Sequence, residues 1–96
     1  MIREQDGRLV ISGPITLDNA MVLRAEGEHY FKQSKLIIDF SEVKEIDSAA
    51  VSLMLEWSRT ARAAGCELRF ANLGDAITSL TNLYGVEDLI PVDAAQ

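Results

Sequence analysis

Apolar residues recur with two different periods along this chain, and the switches between them mark its elements. Arg8-Leu9-Val10-Ile11-Ser12-Gly13 is β-rich and follows Asp6-Gly7, a pair favoured in two-residue hairpin turns. The first 13 residues therefore read as a hairpin whose second strand stops at Gly13-Pro14. Thr16 or Asp18 then caps a helix through Ala20, Met21, Leu23 and Ala25 to Phe31, weakened by Gly27. Lys35 to Phe40 is a short apolar run expected to be a strand buried on both faces. Ser41 to Ile46 reads as a loop.

The strongest helical pattern runs from about Ser48 to Ala64, with Ala50, Val51, Met54, Trp57, Ser58 and Ala61 on one face. Gly65 suits its C-terminus, and Cys66 to Ala71 alternates as a strand. Asp75 is expected to cap a last helix with Ile77, Leu80, Leu83 and Tyr84 inward, stopped at Gly85. A final turn covers Val86 to Ile90, and the tail from Val92 to Gln96 is expected to fray. The order is β-β-α-β-α-β-α, which predicts an α/β fold with a mostly parallel sheet and helices on its faces. Trp57, Met54, Ala61, Ile37, Phe70 and Leu80 are its expected core.

Length permits one domain, residues 1–96, with no repeat, linker or low-complexity tract. Apolar residues at 48% and charged residues at 25% separate it from disordered chains. The net charge of −6 argues against nucleic acid as a partner, because phosphate attraction needs clustered Lys and Arg. The chain shows no secretory h-region, and Ala49 to Leu55, its longest apolar stretch, is far below the roughly 20 residues that span a bilayer. The expectation is a cytoplasmic protein without direct membrane insertion, which reaches a membrane only through a partner.

Catalytic chemistry has little to stand on. Phosphate loops, serine elbows and zinc-binding helix motifs are missing, so no catalytic residue and no cofactor is assigned. His29, the only histidine, lies near a helix end with no nucleophile close in sequence. Cys66, the only cysteine, has no adjacent basic residue to lower its pKa and reads as a small apolar residue. Asp39, Glu42, Glu45 and Asp47 cluster near one strand-to-helix loop, but their spacing matches no metal loop and Lys44 sits among them. No metal site is assigned. At the head of the main helix, Asp47 or Ser48 is positioned to accept hydrogen bonds from free amides. The same geometry would tolerate a phosphate on Ser48, opposed by Asp47 and Glu45.

The segment Ile37-Ile38-Asp39-Phe40-Ser41-Glu42-Val43, a short gap, Ile46-Asp47-Ser48-Ala49-Ala50 and then a long helix resembles STAS domains, over nearly the whole chain. That family fold is a four- to five-stranded sheet covered by helices. The ending, Leu80-Thr81-Asn82-Leu83-Tyr84-Gly85-Val86-Glu87-Asp88-Leu89-Ile90-Pro91, is similar to the STAS subunits of Mla phospholipid-trafficking systems. That resemblance implies a non-enzymatic subunit that binds the cytoplasmic ATPase of an ABC transporter and supports lipid asymmetry of the Gram-negative outer membrane. Anti-sigma-factor antagonists of the same family imply the alternative, a module that binds an anti-sigma factor and kinase and is switched by serine phosphorylation. Those antagonists usually carry Asp-Ser-Ser-Gly with the second serine phosphorylated. Here that position is Ala49, followed by Ala50, whereas the Mla-type subunits use a hydroxyl directly after the Asp, which Ser48 supplies.

A helical wheel places Ser48, Ser52, Leu55, Arg59 and Arg62 within an arc of about 80°, beside the buried face. Leu55 either tucks under the first helix or anchors a contact ringed by hydroxyls and arginines. The stripe is the predicted partner surface, its arginines available to a partner's carboxylates.

Overall fold

The computed structural model describes residues 1–93. Four strands, β1 (Ile2–Gln5), β2 (Arg8–Ile15), β3 (Lys35–Ile46) and β4 (Glu67–Ala71), form one sheet in the order β1-β2-β3-β4. Helices α1 (Ala20–Glu28), α2 (Ser48–Ala63) and α3 (Gly74–Leu83) follow β2, β3 and β4 in turn. A short 3-10 turn, Glu87–Leu89, lies beyond α3. Asp6 and Gly7 both take positive φ (54° and 81°), the conformation a two-residue hairpin turn needs, and β1 pairs antiparallel with β2. The other two pairings are parallel.

Both crossovers step the same way across the sheet, so crossovers of one hand leave their helices on the same side. Leu9 and Ile11, Leu36, Ile38 and Phe40, and Leu68 and Phe70 therefore alternate toward one face. They join Leu23 of α1, Ala50, Leu53, Met54, Trp57 and Ala61 of α2, and Ile77 of α3 in one cluster. Phe40 and Phe70 meet edge to face at 5.7 Å between ring centres. Trp57 lies at the centre of the helix layer, fully buried, its indole N–H donating to the Arg24 carbonyl at 3.1 Å. Gly27 of α1 lies directly against that ring. A Cβ there would come within 2.7 Å of indole atoms, so the close approach of α1 to α2 depends on glycine.

The one-sided cover corrects three expectations. Helices do not flank both faces, and β3 is not buried on both. Ile37, expected in the core, points to the uncovered face and is half-buried. That face carries charge instead. Arg3 binds Glu42 through both terminal guanidinium nitrogens (2.9 and 2.6 Å), Arg8 reaches Asp39 at 3.2 Å, and Arg69 pairs with Glu67 at 3.0 Å.

The expected loop Ser41 to Ile46 is strand. It continues β3 against Ser12, Gly13 and Ile15, which carries β2 past Gly13-Pro14. Two register shifts accommodate it, and Pro14 sits in the second, where its missing N–H costs no ladder bond. Helix α1 ends at Glu28 rather than Phe31, and Asn19 is its N-cap residue in place of Thr16 or Asp18. Leu73, not Asp75, precedes α3 as its cap position. The inward face of α3 is Ile77 and Thr81, leaving Leu80 half-buried and Leu83 and Tyr84 exposed. Val92 pairs with Phe70, and Asp93 donates to the Phe70 carbonyl at 2.8 Å, so the expected fraying does not begin there. The rest of that tail lies outside the described residues. No helix among the described residues is long and apolar enough to cross a membrane.

Candidate functional site

Of the four carboxylates near the β3–α2 junction, Asp39 and Glu42 line one groove on the uncovered face, each bonded to an arginine. Asp39 is buried on the uncovered face, accepting from the Ser41 amide at 2.8 Å, the Asn72 carboxamide at 3.0 Å and Arg8. Burial pushes its carboxyl up, but hydrogen bonds from Ser41, Asn72 and Arg8 outweigh this and hold it below the ordinary carboxylate range. The Arg3 guanidinium holds Glu42 low in the same way, more strongly than desolvation opposes it. Glu45 is exposed. Among the described residues, no group of three or more His, Cys, Asp and Glu side chains could hold a metal ion. Cys66 is buried, which raises its thiol pKa, and His29 is the exposed residue that ends α1.

Asp47 caps α2. Its backbone is extended, and its carboxylate accepts from the Ala49 amide at 2.8 Å. Ser48 is thus the first helical residue, its side chain exposed. One turn on, Ser52 is exposed as well, and the two serines form a ridge with a groove on either side.

On the α1 side, Leu17, Ala20 and Met21 face Ala49, Leu53 and the ridge across a groove of about 360 Å³. On the α3 side, Val51 and Leu55 face Tyr84 and Val86 across a groove of about 350 Å³. Leu55 is half-buried against the core and lies toward the end of α3, not under α1 as one reading had it. Sequence reasoning missed Leu17, Met21, Tyr84 and Val86. The only signal was an apolar residue within the Thr16-Leu17-Asp18-Asn19 turn and another, Met21, off the buried face of α1.

Arg59 is exposed but already engaged, with Glu56 one turn back at 2.6 Å. A partner's carboxylate would have to displace that pair. Arg62 borders a different groove, with Ser58, Cys66, Arg69 and Pro91. It lies 14 residues along the helix from Ser48, about 21 Å away, so the structure separates it from the serine ridge.

Helices thus cover one face of the sheet, and a ridge of two serines stands where the central strand meets the main helix. The model of the STAS family described as "Mlab, STAS domain" matches residues 2–91, and the chain belongs to that family. No curated protein matches. Among solved structures, the anti-sigma factor antagonist SpoIIAA in its unphosphorylated form is similar in fold, with a TM-score of 0.71 at 15% identity over 98% of this chain and 87% of that one. A putative anti-sigma factor antagonist from Thermotoga maritima gives 0.75 at 12% identity, over 96% and 83%. The phosphorylated form of SpoIIAA from Bacillus gives 0.66 at 16% identity, over 98% and 90%.

Proposed function

We propose that this chain is a non-enzymatic, cytoplasmic STAS interaction subunit that binds the ATPase of an ABC-type phospholipid transporter and supports outer-membrane lipid asymmetry. The observation that carries the reading is the Ser48–Ser52 ridge. It presents two hydroxyls between two largely apolar grooves, and Ala49 stands where antagonists of the family carry the phosphorylated serine. The description of the matching family model points the same way. The proposed contact is Ser48, Ser52, Leu55 and Arg59, with Arg62 at its far margin.

The test is binding to the purified ATPase subunit of a phospholipid ABC transporter from the same cell. Wild type is expected to bind, and Leu55→Asp or Arg59→Glu to abolish binding while circular dichroism stays unchanged. Wild-type affinity in both folded variants would remove this face as the interface. A second reading, an anti-sigma-factor antagonist, is favoured by the fold likeness to SpoIIAA. Binding of an anti-sigma factor in place of the ATPase, with phosphate transferred to Ser48 by its kinase, would select it.

A further inference from the structure

Asp47 does more than a helix cap requires. One carboxylate oxygen, Oδ1, takes the Ala49 amide and is sufficient to cap α2. The other, Oδ2, takes the amide of Leu17 at 3.0 Å, thirty residues earlier in the chain. The Asp47 amide donates to the Ile15 carbonyl at 3.2 Å, so one residue ties the end of β2, the β2–α1 loop and the start of α2 together. The loop is stapled a second time. Asn19 accepts from the Thr16 amide at 2.9 Å and donates to the Pro14 carbonyl at 2.8 Å. Yet this fixed loop adds little to the core, because Leu17 is 79% exposed and Met21, which follows it on α1, is 82% exposed. Both line the groove beside Ser48 and Ser52.

We propose that Asp47 is a positioning residue for the partner surface: it clamps the β2–α1 loop to α2 and so holds Leu17 and Met21 as a second contact lobe. The proposal rests on the ATPase reading given above. Its occupant is an apolar segment of that ATPase without acidic side chains. The charges around the groove are matched within the chain, Arg24 by Glu28 at 3.3 Å and Glu56 by Arg59, and both Asp47 oxygens are engaged by amides. An occupant with an acidic side chain at the centre would find no free cation there. Holding the lobe in place before contact lowers the ordering cost of association.

Asp47→Ser separates the two duties. Serine caps a helix about as well as aspartate, but a single short hydroxyl cannot also reach Leu17. The variant is expected to keep wild-type circular dichroism and Trp57 fluorescence. Its Leu17 amide should exchange with solvent at least tenfold faster, and its affinity for the purified ATPase should fall at least tenfold. Leu17→Ser, at an exposed site that leaves the fold alone, should lose affinity without losing the Asp47 bond. This holds even if Asp47→Ser proves poorly folded. Unchanged exchange at Leu17 in folded Asp47→Ser overturns the clamp, whether or not any partner binds. Faster exchange with undiminished affinity, or full affinity in Leu17→Ser, overturns the second lobe. Wild type that fails to bind the ATPase overturns the functional reading instead. Self-association lost in Leu17→Ser would assign the groove to a second copy and overturn the ATPase as occupant.

Discussion

Replacing Gly27 with alanine isolates the contact on which the helix layer depends. In an ordinary helix interior the change is favourable by about 1 kcal/mol, because glycine has more backbone freedom to lose. Here the added Cβ would lie 2.7 Å from three indole atoms of Trp57. That ring is fully buried and rigid, and its N–H is committed to the Arg24 carbonyl of the same helix. It cannot swing aside without losing the bond, so α1 must lift. Overpacking of this kind costs about 2 kcal/mol, and weakening the indole hydrogen bond about 1 more. Against the propensity gain, the net loss is about 2 kcal/mol, or roughly 8–16 °C in Tm for a chain of this size. Thermal and urea unfolding followed by far-UV circular dichroism would measure it. Ala25→Gly, at an exposed site of the same helix, supplies the reference and should lose about 1 kcal/mol from propensity alone. In a Trp57→Phe background, which lacks the indole nitrogen and outer ring atoms, Gly27→Ala should cost far less, with a coupling above about 1 kcal/mol. Gly27→Ala with a Tm at or above wild type would refute the packing described here.

Trp57→Ala should cost about 3–5 kcal/mol in urea unfolding, because the indole fills the centre of the core and little around it can collapse. Asp39 is held ionised below its ordinary pKa, so the stability it lends is complete above about pH 4 and is lost as pH falls through the lower folded value. Asp39→Asn should flatten the acid limb of the stability–pH curve, read from unfolding midpoints between mildly and strongly acidic buffers. Asp39→Ala should cost about 1–3 kcal/mol at neutral pH, because the Ser41 amide and its companion donors lose their acceptor.

Element order was legible because period and punctuation agreed: Asp6-Gly7 turns, Gly65 stops a helix, and 3.6-residue spacing dominates from Ala50 to Ala61. The second half of β3 was hidden by Glu42, Lys44 and Glu45, which look like loop residues. They are tolerated because that stretch needs only Val43 and Ile46 to pack against the core. The phase of α3 misled for the opposite reason. Leu80, Leu83 and Tyr84 are apolar but more numerous than the inward places available, and Thr81 takes one of those, its hydroxyl satisfied by the Thr78 carbonyl at 2.9 Å. At the candidate site, Ser48, Ser52 and Leu55 were readable from one helix's periodicity. Leu17 and Tyr84 were not, since they arrive from elements that only tertiary packing brings alongside.

The sequential strand order bears on how the chain comes to be folded. Every strand pairs with its immediate predecessor, across a two-residue turn or a crossover of about 20 residues, so loop-closure entropy stays modest at each step. Among the described residues, no two strands laid down early must wait for a later one to be inserted between them, as many parallel sheets require. During synthesis, β1, β2, α1 and β3 can assemble in the order they emerge, and β4 then closes onto an edge already formed. Helix α3 and the segment that pairs Val92 with Phe70 emerge after β4. Until they dock, the Phe70 side of the sheet stays open. A chain cut before α3 should therefore leave that side of the sheet open to proteolysis and misassembly.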